Sequence, residues 1–177
     1  MTNDLPARYL SIEMQGARGI LAWGLGLALV VFTNSVAAQS GEEHWIAKNV
    51  YDPFSGKSHC VAESVHQQMH DGYQDTTIYL QIDAKGLTVV TESTIDPESP
   101  HNHIRVDDNN AMKPDRLSHE QRAVFARDAE HIIGQFQRGI KVIVTLKFWP
   151  TWPDKGSRET EFSLIGFTRT FARLPNC

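Results

Sequence analysis

The sequence predicts a mainly β fold, an antiparallel β-sandwich or curled barrel with one amphipathic α-helix packed on it. Three observations lead there. Apolar residues alternate at period two over 76–83 (Ile78, Leu80, Ile82) and again over 140–149 (Val142, Val144, Leu146, Phe148). Short turns separate successive β-runs, which favours hairpins over βαβ units. Only one stretch, ending near Arg138, changes to helical spacing.

The chain of 177 residues opens on a segment set apart from that fold. Gly19 to Phe32 is a run of 14 residues without a charge, preceded by Arg18. A bilayer-spanning helix needs about 20 apolar residues, so the run is short for a span and fits the core of a signal peptide. Small residues follow, and the expected cleavage point is Ala38/Gln39, with Ala37/Ala38 as the second choice. Residues 1–38 therefore read as a leader and 39–177 as one domain. Met14 begins a tighter signal, which makes 1–13 an N-terminal extension. If the leader stayed uncleaved, it would anchor the same domain on the export side.

Within 39–177 the elements follow in order. Residues 44–50 (Trp45, Ile46, Val50) form a first strand, and Asp52-Pro53 and Ser55-Gly56 turn the chain. Cys60-Val61-Ala62 is a short buried strand. Asp71-Gly72 is a hairpin dipeptide inside the polar stretch 66–74. Residues 76–83 and 87–91 pair across the Lys85-Gly86 turn. Ile104–Val106 is a short strand, and 107–113 is polar.

Ser118 then reads as an N-cap with Gln121 completing a capping box. Val124, Phe125, Ala129, Ile132, Ile133 and Phe136 make one helical stripe, stopped by Gly139 after Arg138. A long strand over 140–149 follows, and another over 160–165. Gly166, inside a β-run, suggests a bulge that aims Phe167 and Phe171 inward.

Composition excludes several classes. Apolar residues are 41% and charged residues 21%, as in a globular protein. The net charge is −4, whereas a duplex nucleic-acid binder carries a basic surplus. Two cysteines cannot close a four-thiolate zinc site. No GxSxG, GxGxxG, P-loop or HExxH pattern occurs in 39–177, and no catalytic residue or cofactor is expected.

Export to an oxidising compartment, with an even cysteine count, predicts the one possible intramolecular pairing, Cys60 with Cys177. Two groups offer chemistry. Trp149-Pro150-Thr151-Trp152-Pro153 brackets a proline with indoles. Exposed, they would be a binding hot spot; turned inward, they would cap the core. His66 and His70, with His101 and His103, suit zinc or copper if the fold gathers them. Otherwise they are solvated loop residues.

The C-terminal third carries a resemblance. Ala129–Gly139 followed by Ile140–Val144 resembles the helix–glycine–strand step of the invasion-associated locus B family of exported bacterial proteins. Phe162–Thr168 is similar to that family's SLxGFT segment. Trp45 and Cys60 fall where the family has an early tryptophan and cysteine. The chain departs from it in lacking a middle cysteine pair, and 97–116 is divergent. The resemblance implies a β-rich periplasmic or secreted protein of the cell envelope without established catalytic residues. Some members are linked to host-cell invasion.

The expected function is a non-catalytic binding or interaction module whose partner is a protein or an envelope component. A periplasmic metal-binding protein using the histidine cluster is the alternative.

Overall fold

A computed structural model describes residues 44–52, 56–150, 152–153 and 156–177. The leader expected over 1–38 lies outside the described residues. Among the described residues, ten strands form two antiparallel sheets. The strands are β1 (Trp45–Asp52), β2 (Lys57–Ser64), β3 (Gln67–His70), β4 (Asp75–Asp83), β5 (Gly86–Thr91), β6 (His103–Val106), β7 (Arg116–Ser118), β8 (Arg122–Phe125), β9 (Lys141–Leu146) and β10 (Arg158–Ser163).

The larger sheet runs β1-β2-β4-β5-β8-β7, and β3 continues the line of β2 along the first half of β4. The smaller sheet runs β10-β9-β6. Neither closes into a barrel, so of the two forms expected the sandwich-like one is found. Helix α1 (Ala129–Arg138) packs on β5, and helix α2 (Phe167–Phe171) packs on β1 and β2. Among the described residues no helix is long and apolar enough to cross a membrane.

Period-two alternation decides which faces meet. Ile78, Leu80 and Ile82 of β4 are fully buried, as are Leu87 and Val89 of β5 and Val142 and Val144 of β9. Ile132 and Phe136 of α1 and Phe167 of α2 join the same core. Each such side chain contributes about 1.5–3 kcal/mol relative to exposure. The opposite face of the larger sheet carries Gln81, Thr88, Arg122 and Val124 in register across β4, β5 and β8.

The structure corrects the sequence reading at three places. Residues 118–125 are not helical: β7 and β8 form a hairpin, and the helix begins only at Ala129. The local pattern Ser118…Gln121 is overridden by distant partners. The Glu120 carbonyl accepts Ile95 N–H at 2.7 Å, and the Gln121 carbonyl accepts Thr91 N–H at 2.9 Å. His119 and Glu120 adopt left-handed backbone (φ 54° and 58°), which closes the turn.

Second, the strand expected over 140–149 ends at Leu146. Phe148 makes an isolated bridge to Ile95 instead. Third, Gly166 is not a strand bulge. It sits in left-handed backbone (φ 89°) at the start of α2, and the turn into that helix buries Phe167 completely.

Cys60 and Cys177 lie at disulfide distance, with Cα atoms 6.0 Å apart at a sequence separation of 117. A 3₁₀ turn at Leu174–Asn176 leads into Cys177, so the pairing holds the C-terminus against β2.

Candidate functional site

Among the described residues, three exposed aromatic side chains lie near the end of β9, two of them in the segment that follows it. Phe148 points into the core and is 4% exposed; the next residue, Trp149, points out and is 57% exposed. The alternation of strand side chains carries this opposition past the end of β9. Trp149 N–H donates to the Thr94 carbonyl at 2.8 Å, which fixes the backbone at the point of exit. Trp152 is 85% exposed. Of the two arrangements open to the indoles, projection into solvent is the one found.

A third ring joins them from a distant part of the chain. Tyr73, in the turn between β3 and β4, is half exposed, and its hydroxyl donates to the Trp152 carbonyl at 3.1 Å. The turn beneath Tyr73 is organised by one carboxylate. Asp71 Oδ1 accepts the N–H groups of Tyr73 at 2.7 Å and Gln74 at 2.8 Å, and Oδ2 accepts the Ser93 hydroxyl at 2.6 Å. Partial burial alone would raise the Asp71 carboxyl. The Ser93 hydroxyl and the two N–H groups more than offset that and hold it below the usual aspartate range.

Tyr73, Trp149 and Trp152 thus form an aromatic platform on a braced turn. Such rings give large contact area with few rotatable bonds, which suits stacking and hydrophobic anchoring. Sequence reasoning found the two tryptophans. It missed Tyr73, which stands 79 residues before Trp152 and whose one local signal was the Asp71-Gly72 turn.

The histidines are placed separately. His66 Nε2 lies 3.2 Å from Glu63 Oε1, and its ring stacks on Tyr79 at 4.2 Å. His70 Nδ1 accepts Gly72 N–H at 3.0 Å. His103 Nδ1 lies 2.8 Å from the His101 carbonyl. Among the described residues, no three His, Cys, Asp or Glu side chains gather in a metal-binding group. His66, His70, His101 and His103 therefore do not form a shared site in this fold.

Glu63 was not singled out by sequence. Only 2% exposed, it lies on the outer face of the larger sheet and accepts hydrogen bonds from Lys48 at 2.9 Å and Gln81 at 3.0 Å beside the His66 contact. Lys48, Gln81 and, in the suitable tautomer, His66 each offer it a donor, so the arrangement stabilises the anion rather than a proton carrier.

Compared with known proteins, the chain matches no family model, no curated protein and no solved structure.

Proposed function

We propose that this chain is an exported, non-catalytic binding module of the bacterial envelope or periplasm, of the kind the resemblance to the invasion-associated locus B family implies. It engages a protein or envelope component through Trp149, Trp152 and Tyr73.

The observation that carries this reading is the exposure of Trp149 (57%) and Trp152 (85%) over a turn fixed by hydrogen bonds. Exposed indoles cost solvation free energy in a free monomer, and clustered aromatics of this kind dominate binding energy where a partner covers them. The Cys60–Cys177 pair supports export, because structural disulfides persist in oxidising compartments.

Two measurements test it. A photo-crosslinking amino acid at position 152 of the full-length chain, expressed in its own cells, is expected to capture one partner reproducibly. That capture should disappear in the Trp149→Ala background while thermal stability is kept. N-terminal sequencing of the protein from the periplasmic fraction should begin at Gln39. Indiscriminate cross-linking, or a cytoplasmic chain that retains residues 1–38, would refute the reading.

A further inference from the structure

The outer face of the larger sheet forms an open groove of about 600 Å³, a volume within the range of small-ligand sites. Its walls are charged unevenly. Arg116 on β7 and Arg122 on β8 both project into it, and Lys85 projects from the β4–β5 turn. Among the described residues, the one carboxylate lining it is Asp83. Its Oδ1 accepts Lys85 N–H at 2.8 Å, and its Oδ2 lies 4.0 Å from His59.

Arg116 and Arg122 are exposed, and among the described residues neither guanidinium is held in an ion pair or side-chain hydrogen bond. Register places them on the same face. Arg116 is opposite Val124, and Arg122 is opposite Ser118, so the two are diagonal neighbours. Diagonal Cβ atoms lie about 7–8 Å apart, within reach of one another's long side chains. Like charges so placed repel, and an anion between them removes the repulsion.

We propose that this groove binds an acidic oligosaccharide, with Arg116 and Arg122 gripping its carboxylate or sulfate groups. This site is distinct from the aromatic platform and does not depend on it. Guanidinium forks match such oxyanions bidentately. Strand addition by a peptide is disfavoured on the floor of the groove, away from the sheet's edge strands β1 and β7. β4, β5 and β8 are each paired on both sides, so their main-chain groups are spent in ladders and offer no template for strand addition. Recognition must come from side chains. Thr88 and Ser118 put hydroxyls beside the guanidiniums, and Tyr51, 62% exposed, sets a ring at the rim for stacking on a sugar. The net charge of −4 argues against duplex nucleic acid as the polyanion.

Calorimetry on the full-length chain tests this with four probes: hexagalacturonate, a heparin-derived hexasaccharide, neutral maltohexaose and inorganic sulfate. At least one acidic hexamer is expected to bind, and more weakly as salt rises; which one responds distinguishes carboxylate from sulfate recognition. Maltohexaose should give no heat. Arg116→Gln/Arg122→Gln should weaken binding by roughly tenfold or more, the loss of two charge-assisted contacts. Lys85→Gln, in an exposed turn, is a second variant and should weaken it less. Trp149→Ala should leave it unchanged. Silence with both acidic hexamers overturns the proposal, as does equal binding by the double-arginine variant. Sulfate binding as tightly as either hexamer overturns the oligosaccharide assignment.

Discussion

Trp45 Nε1 donates to the carbonyl of Ser163 at 2.7 Å, joining the first residue of β1 to the last residue of β10 across 118 positions of sequence. The bond ties the two sheets together at the edge where the helices close the core. Trp45 is 3% exposed and meets Phe167 edge-on at 4.9 Å and Phe136 at 6.1 Å. Its own carbonyl accepts the Thr170 hydroxyl at 3.1 Å. Trp45→Phe keeps most of the ring packing but deletes the donor and orphans a carbonyl. The expected cost is about 1–3 kcal/mol, read as a lower urea midpoint at unchanged slope.

The Cys60–Cys177 link constrains the unfolded chain more than the folded one. In the chain-entropy picture a loop of this length contributes about 4–5 kcal/mol. Reduction, or Cys177→Ser, should therefore shift the urea midpoint strongly downward. The last residues, including the Leu174–Asn176 turn, should lose amide protection before the sheets do. Equal midpoints with and without reductant would contradict the assignment.

How far this was legible in the sequence depends on the range of the contacts. Period two in Ile78, Leu80 and Ile82 and in Val142 and Val144 gave β4 and β9, because each strand buries one face. Ile132 and Phe136 gave the body of α1 for the same reason. The start of that helix was misread because Ser118 and Gln121 mimic a cap. The decision lies with Ile95 and Thr91, more than twenty residues away. The groove was missed by the same error, since Arg122 in a helix would not share a face with Arg116. Trp149 and Trp152 were visible as residues, but their outward direction is set by where Phe148 bridges Ile95.

Glu63 gives a stability term with a defined sign in pH. Burial alone would raise its pKa. Hydrogen bonds from Gln81, Lys48 and His66, with the Lys48 charge, outweigh burial and hold it below the usual glutamate value. A carboxyl whose folded pKa lies below its unfolded one stabilises the fold fully above the unfolded value. That contribution is lost as pH falls through the folded value. Glu63→Gln should cost about 1–3 kcal/mol at neutral pH. The gap between wild type and variant should narrow on acidification. Asp71 and Asp115 are lowered too and remain in both proteins, so the difference isolates Glu63. Urea titrations at a series of pH values measure it, and a gap that widened in acid would show the opposite sign.

Gly86 turns β4 into β5 at φ 133°, a conformation that side chains rarely adopt. A Cβ there would collide with the Phe125 carbonyl oxygen and approach the Ala126 Cα at 2.9 Å, both backbone atoms that cannot rotate away. Gly86→Ala must therefore displace the end of β8 from β5. A loss of several kcal/mol, or failure to fold, is expected. Gly56→Ala is the informative comparison: it shares a positive φ of 65° but meets nothing within 4 Å. It should cost only about 1 kcal/mol of backbone strain. Thermal denaturation of the two variants separates the steric contribution from the conformational one.

Asp71 couples the turn chemistry to the aromatic platform. Its carboxylate holds the Tyr73 and Gln74 N–H groups and the Ser93 hydroxyl, and Tyr73 in turn reaches the Trp152 carbonyl. Asp71→Ala removes all three acceptor contacts at once. The exposed turn admits water to the freed N–H groups, so the stability cost should stay near 1–2 kcal/mol. The larger effect should be positional. With Tyr73 released, the loop carrying Trp152 loses a restraint, and its indole should gain mobility on the nanosecond timescale. Fluorescence anisotropy in a Trp23→Phe/Trp149→Phe background, where Trp152 is exposed and the one other indole, Trp45, is buried and serves as a fixed baseline, reads this. Asp71→Asn keeps one oxygen acceptor in place and should restore most of the rigidity. If both substitutions left anisotropy unchanged, the platform would be held by contacts other than this turn.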